Sequence, residues 1–144
     1  MSSPDAVLVT GASTGIGRAI VERLSRDGTH VFAAVRDLST VDEHPLVTPV
    51  RLDVTSAEEA KAAADTVRDG LGDLKLRGVV NNAGIAVGGP LEFVDLDEVR
   101  RQFEVNVIGQ IAVTQAFLPI QRGHGESPSI WRRSPGRGIT AGRP

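Results

Sequence analysis

Val7 to Ile20 reads V-L-V-T-G-A-S-T-G-I-G-R-A-I. A short apolar run leads into a glycine-rich turn, and the turn into the start of an amphipathic helix. The glycines fall at Gly11, Gly15 and Gly17, a T-G-x-x-x-G-x-G spacing rather than G-x-G-x-x-G. The chemistry is similar. One glycine leaves the strand through backbone angles closed to residues with side chains. Another lets the backbone approach a pyrophosphate, and the last lets the helix pack closely on the strand. A helix opening near Ile16 aims unpaired N–H groups and a positive dipole end at an anion. Arg18 and Ala19, not Lys-Ser/Thr, follow the last glycine, so the turn is not a P-loop. Such a turn also serves as a plain strand-to-helix connection, and its neighbours must decide.

The flanking pattern alternates strands and helices. Ala6–Thr10 and Val31–Val35 are apolar runs suited to strands buried on both faces. Between them, Ile16, Ala19, Ile20 and Leu24 predict a helix to about Arg26, with Gly28 as its stop. Residues 37–49, with Pro45 and Pro49, read as a connection with one helical turn. Val50–Val54 reads as a third strand and Arg77–Asn81 as a fourth. Residues 55–71 between them read as a helix opened by a Ser56/Glu59 capping box, with Ala57, Ala60, Ala64, Val67 and Leu71 on its inner face. A glycine-rich loop follows over 81–90. A helix begins at Asp95, with Glu98 as its cap partner and Leu96, Val99 and Phe103 on one face. A second, apolar helix runs from about Val105 to Leu118, with Pro119 just past its end. The pattern predicts an α/β fold: a doubly wound parallel sheet, helices on both faces, right-handed crossovers. Ligands bind such sheets beyond the carboxyl ends of the strands. The glycine turn, Arg36, Asp53 and the 81–84 loop all fall there.

Composition narrows the classes. The 144 residues suit one domain with a single core. With four Phe, one Trp and no Tyr, the core must be aliphatic. There is no Cys, and His30, His44 and His124 show no ligand spacing, so no metal site is expected. No run approaches the ~18 consecutive apolar residues of a membrane span, and the N-terminus lacks a signal pattern. These features predict a cytoplasmic protein without a membrane partner. Residues 1–121 hold 11 Lys+Arg against 17 Asp+Glu, a net −6, while residues 122–144 hold five Arg against one Glu, a net +4. The basic charge lies in the tail with Trp131 its single aromatic, so no nucleic-acid partner is expected.

Four motifs then fall in order. T-G-A-S-T-G-I-G (10–17), L-D-V (52–54), N-N-A-G (81–84) and V-N-V-I-G (105–109) together resemble the short-chain dehydrogenase/reductase family over roughly residues 6–121. The resemblance implies an incomplete Rossmann-type sheet and a dinucleotide cofactor. It places Gly11, Ser13, Ile16 and Gly17 at the phosphates and nearby ribose. Asp53 and Val54 would border the adenine. Asn82, Ala83 and Gly84 would line the nicotinamide ribose, and Asn81 would brace the sheet. Asn106 corresponds to the Asn that helps hold a water in the family's proton relay; the residue alone reads rather as a polar group bending or capping within a long helix. NAD binders place a carboxylate at the end of the second strand. Here Val35-Arg36 stands there, and an arginine can pair with a 2′-phosphate and stack on adenine, so NADP(H) is favoured over NAD(H). A surface Arg36–Asp37 pair is the alternative.

The resemblance stops near Gln121. The family's Ser and Tyr-x-x-x-Lys have no counterpart: the sequence has no Tyr, and its last Lys is Lys75. Of residues 121–144, 16 are Gly, Arg, Pro or Ser, the composition of a disordered tail. Such an abrupt change is expected of an out-of-frame or truncated translation of a longer reductase gene; coding DNA without Tyr-x-x-x-Lys in another downstream frame would refute that. The expectation is therefore the cofactor-binding half of an oxidoreductase acting on a ketone or secondary alcohol, inactive as given. The alternatives are a non-catalytic binding module or a nonfunctional fragment. An exposed fourth-strand edge would favour aggregation or association, with homo-oligomers forming through the helix at 107–118.

Overall fold

The computed structural model describes residues 5–123. The Arg-rich segment read as a tail lies, apart from Arg122 and Gly123, outside the described residues. Four parallel strands, β1 (Asp5–Thr10), β2 (His30–Val35), β3 (Val47–Arg51) and β4 (Lys75–Val80), form one sheet in the order β3-β2-β1-β4. β1 is central because its side chains are buried on both faces: Leu8 pairs with Phe32 and Val79, and Val9 with Ala33 and Val80. Helix α1 (Gly15–Arg26) covers one face. Helices α2 (Ala57–Gly70) and α4 (Gln110–Arg122) cover the other.

The alternation along each strand divides the core into two layers. Leu8, Phe32, Ala34, Val50, Leu52 and Leu76 meet Ala60, Ala63, Ala64 and Val67 of α2 and Val113, Phe117 and Ile120 of α4. Val9, Val31, Ala33 and Val35 meet Val21, Ile20 and Leu24 of α1. Alanines let α2 approach closely, and Phe32 and Phe117 fill the layer; each buried ring contributes about 1.5–3 kcal/mol.

Several elements differ from the sequence expectation. β3 begins at Val47, three residues early, and contains Pro49. The bonds Val31 N to Leu46 O and Leu52 N to Val35 O fix the even-numbered residues of β3 toward β2. Pro49, in the opposite phase, turns its missing donor to the open edge, where nothing is lost. Helix α1 is phased on Gly17, Val21 and Ser25; Ile16 is 75% exposed and Ala19 also faces outward. On α2, Ala63 is buried in place of Ala57. Ser56 Oγ accepts from Glu59 N at 3.1 Å, but Glu59 caps Asp53 N rather than Ser56 N, so only half of a capping box forms.

The helix from Asp95 is continuous through Arg122: α3 (Leu96–Phe103), a π-helical stretch Glu104–Gly109, then α4. Asp95 caps it through Asp97 N, while Glu98 pairs with Arg101 instead. Leu96 and Phe103 are 65% and 59% exposed, and no residue of α3 is fully buried. Pro119 lies inside α4, not beyond it. Its lost backbone bond is offset by the following turn, which buries Ile120 in the core. By length and composition alone this helix could cross a membrane, but Val113, Phe117 and Ile120 place it as a core helix of the α/β layer.

Candidate cofactor site

The carboxyl ends of all four strands open onto one cleft of about 890 Å³. Gly11, Ser13, Ile16, Arg36, Asp53, Val54, Asn82, Ala83 and Gly84 line it together. Thr14, Gly15, Arg100, Arg101, Glu104 and Val105 also line it. Gly15 is one of the turn glycines, Thr14 and Val105 fall inside the quoted motifs, and Arg100, Arg101 and Glu104 carry no signal in the sequence.

The floor is a fixed junction between the glycine turn and the end of β4. Thr10 Oγ1 accepts from Asn82 N and Ala83 N, both at 3.0 Å, and donates to Val80 O at 3.4 Å. Asn82 Nδ2 donates back to Thr10 O (3.1 Å) and Gly11 O (3.2 Å). The Asn82 amide thus holds the turn in place. A Cβ at Gly11 would sit 2.8 Å from Ala83 Cα, on a backbone already at φ +63°, so only glycine fits. Gly17 is behind the wall, not in it. A Cβ there would lie 2.1 Å from Gly11 O, so this glycine serves helix-to-strand packing rather than ligand contact.

The turn is open where an anion would approach. Gly15 has φ +55° and no atom within 4 Å of its Cβ position. Helix α1 has no side-chain cap and no acid in its first turn. In contrast, α2 and α3 are each capped by a side chain and carry acids there. The first N–H groups of α1 therefore keep both their unpaired donors and the helix-end field.

The β2 and β3 ends carry opposite charges. Arg36 is exposed, and among the described residues it makes no ion pair. Asp37 is committed elsewhere, accepting from Ser39 N and Oγ at 3.0 and 2.7 Å, so the Arg36–Asp37 alternative is not formed. Asp53 Oδ1 accepts from Thr55 Oγ1 (2.7 Å) and Thr55 N (2.9 Å). The Thr55 hydroxyl bond, then the Thr55 N–H bond, with lesser help from Arg36 and Arg51, hold its carboxyl below the ordinary range. Asp53 is thus a fixed anionic acceptor at the cleft rim.

Asn106 does not reach the cleft wall. Its Oδ1 accepts from Ile85 N at 2.9 Å and its Nδ2 donates to Ile85 O at 2.8 Å. The side chain is spent clamping the loop after β4, and Gln102 repeats the contact one turn earlier by accepting from Val87 N at 2.5 Å. The π-helical stretch around Asn106 breaks the regular backbone ladder at this turn. Gly109 lets the helix cross the β3 end: a Cβ would lie 2.6 Å from Val54 O. Asn81 ties β4 to α4 through Thr114 Oγ1 at 3.0 Å.

The family model described as short chain dehydrogenase matches residues 5–127. A 3-amino-tetrahydro-pyrrolizinone reductase from Xenorhabdus hominickii is 39% identical over 117 residues, 81% of this chain and 41% of that protein. A short-chain dehydrogenase structure from Streptomyces avermitilis superimposes with a TM-score of 0.79 at 34% identity, covering 87% of this chain and 47% of that one. An NADPH-bound carbonyl reductase from chicken fatty liver superimposes with a TM-score of 0.74 at 33% identity, covering 83% and 52%. The chain thus spans about half the length, or less, of the proteins it matches. With four parallel strands, a T-G-x-x-x-G-x-G turn and this match over residues 5–127, the chain belongs to the short-chain dehydrogenase family of nicotinamide-dinucleotide oxidoreductases.

Proposed function

We propose that this chain is the dinucleotide-binding half of a short-chain oxidoreductase and binds NADP(H) in preference to NAD(H). The observation that carries the reading is the uncapped, acid-free start of α1 beneath Gly15, whose Cβ position is open. That cradle fits a pyrophosphate. Ser13 and Ile16 border it, and Gly11 holds its floor. Asp53 and Val54 would border the adenine. The 82–84 segment would face the nicotinamide ribose, with Asn82 positioning that wall through the glycine turn.

Arg36 supports the choice of NADP(H). It stands where a carboxylate would repel a 2′-phosphate, and its guanidinium can accept the phosphate in a bidentate pair. The chain's structural neighbours include both an NADPH-bound carbonyl reductase and a 3-ketoacyl-(acyl-carrier-protein) reductase complexed with NADH, so the preference rests on Arg36 alone. Bound cofactor would supply hydride to, or take it from, a carbonyl or secondary alcohol. The chain's own residues bind and orient it. No Tyr stands in the sequence to move the accompanying proton, so binding without turnover is expected. Asn106 would act by holding the Ile85 loop, not by presenting its side chain to substrate. We place the protein in the cytoplasm. We also infer self-association through the exposed Val107, Ile108 and Ile111, which are 42%, 51% and 51% exposed.

Paired assays test the reading. Calorimetric titration should give saturable NADPH binding, weaker NADH binding, and no ketone-dependent NADPH oxidation. A folded protein that binds neither nucleotide would refute it, leaving a nonfunctional fragment. Turnover across a ketone panel would refute the binding-only form.

A further inference from the structure

The cleft has a recognition problem on its adenine side. Among the described residues, no aromatic side chain lines it. The planar cationic groups that line it are the guanidinium groups of Arg36, Arg100 and Arg101. The helix phase separates the last two. Gln102 and Asn106 form one stripe, bonded to Val87 and Ile85 of the loop after β4. Arg101, Val105 and Gly109 form another at four-residue spacing, and Gly109 rests on Val54 O at the β3 end. Val105 packs against the core beside it. Arg101 therefore stands one turn beyond Val105, on the β3 side of the cleft. Arg36 follows β2, the strand paired with β3 through Val35 and Arg51.

We propose that Arg101 is a binding residue for the adenine ring, its guanidinium stacking on the purine held between the β3 end and Arg36. This rests on the dinucleotide reading above. The side chain is available for that role. Its one carboxylate contact, Arg101 Nη1 to Glu98 Oε2 at 3.3 Å, joins groups 60% and 49% exposed, and such a pair holds weakly. Arginine stacks through its planar face, which lysine lacks. The contribution would be common to NADPH and NADH, unlike that of Arg36, which favours the 2′-phosphate.

Calorimetric titration of the full chain with NADPH and NADH tests it, using Arg101→Ala, Arg101→Lys and Arg101→Phe. Urea midpoints confirm that each variant is folded. Ala and Lys should each weaken both nucleotides by a similar factor, about five- to tenfold. Phe should retain most of the affinity, because it keeps a stacking face without the charge. Unchanged affinity in the Ala variant would overturn the proposal. A loss confined to NADPH and restored by Lys would also overturn it, identifying a phosphate contact instead. Failure of the wild-type chain to bind either nucleotide would defeat the dinucleotide reading itself, and this inference with it.

Discussion

Gly17→Ala should destabilise the protein more than Gly15→Ala does. Two effects compete. Alanine is the better helix residue, worth about 1 kcal/mol in a helix interior. Against that, the new Cβ would lie 2.1 Å from Gly11 O and 2.5 Å from Asn82 Nδ2. A carbon needs more than 3 Å from either. Neither atom yields easily, because Asn82 Nδ2 is itself bonded to Gly11 O and Thr10 O. Relief requires α1 to move off β1 by about an ångström, opening the layer around Val9, Ala12 and Val21. Overpacking of this kind costs about 3 kcal/mol or more, so the net loss is about 2–3 kcal/mol. With a urea slope of about 2 kcal/mol per molar, the midpoint falls by about 1–1.5 M. Gly15→Ala is the comparison. It meets no atom within 4 Å but sits at φ +55°, so it should lose about 1–2 kcal/mol from backbone strain alone. A Gly17→Ala midpoint at or above wild type, or a drop smaller than that of Gly15→Ala, would refute the packing argument.

Other outcomes follow from single contacts. Thr10→Val removes the acceptor for Asn82 N and Ala83 N; it should cost about 1–3 kcal/mol in urea unfolding, and an unchanged midpoint would show that water replaces the hydroxyl. Asn106→Ala strips both bonds from Ile85; exchange of the Ile85 amide should accelerate while β1 amides keep their protection, and an unchanged Ile85 rate would contradict the clamp. Asp53 has a depressed folded value against an ordinary 3.8, so its contribution is present above about pH 4 and is lost as pH falls through the folded value. Asp53→Asn should therefore flatten the acid limb of a stability profile below about pH 4, and Thr55→Val should do so in part; parallel profiles would contradict the assignment. Ile108→Lys, placed on a half-exposed apolar position, should lower the mass seen by light scattering if the helix mediates association, and an unaltered mass would exclude that surface.

The sheet was legible because β1 and β2 are continuous apolar runs and the glycine turn joins one to a helix. β3 was displaced because Pro49 reads as a breaker in one dimension, while its harmlessness depends on facing the open edge of the sheet. Pro119 misled for a similar reason: the burial of Ile120, not local propensity, carries α4 past it. Ile16 fits the apolar spacing of the helix, but Gly17 sets the helix phase and leaves Ile16 on the cleft wall, where the family resemblance puts it. Within the site, local motifs located nine lining positions, whereas the structure moved Gly17 behind the wall. Thr10 and Gln102 escaped because their partners are about 70 and 15 residues away. The role of Asn106 was invisible for the same reason, since Ile85 is 21 residues upstream. Arg100 and Arg101 belong to no motif, and their approach to the cleft depends on where that helix crosses Val54.

The most direct test of cofactor binding is amide NMR of the chain titrated with NADPH. The account predicts saturable shifts confined to residues 11–17, 36, 53–55, 82–85 and 100–105, with the Gly15 and Ile16 amides shifting most and NADH needing a higher concentration for the same changes. A folded spectrum in which those amides stay fixed, or in which the shifts fall elsewhere, would contradict it.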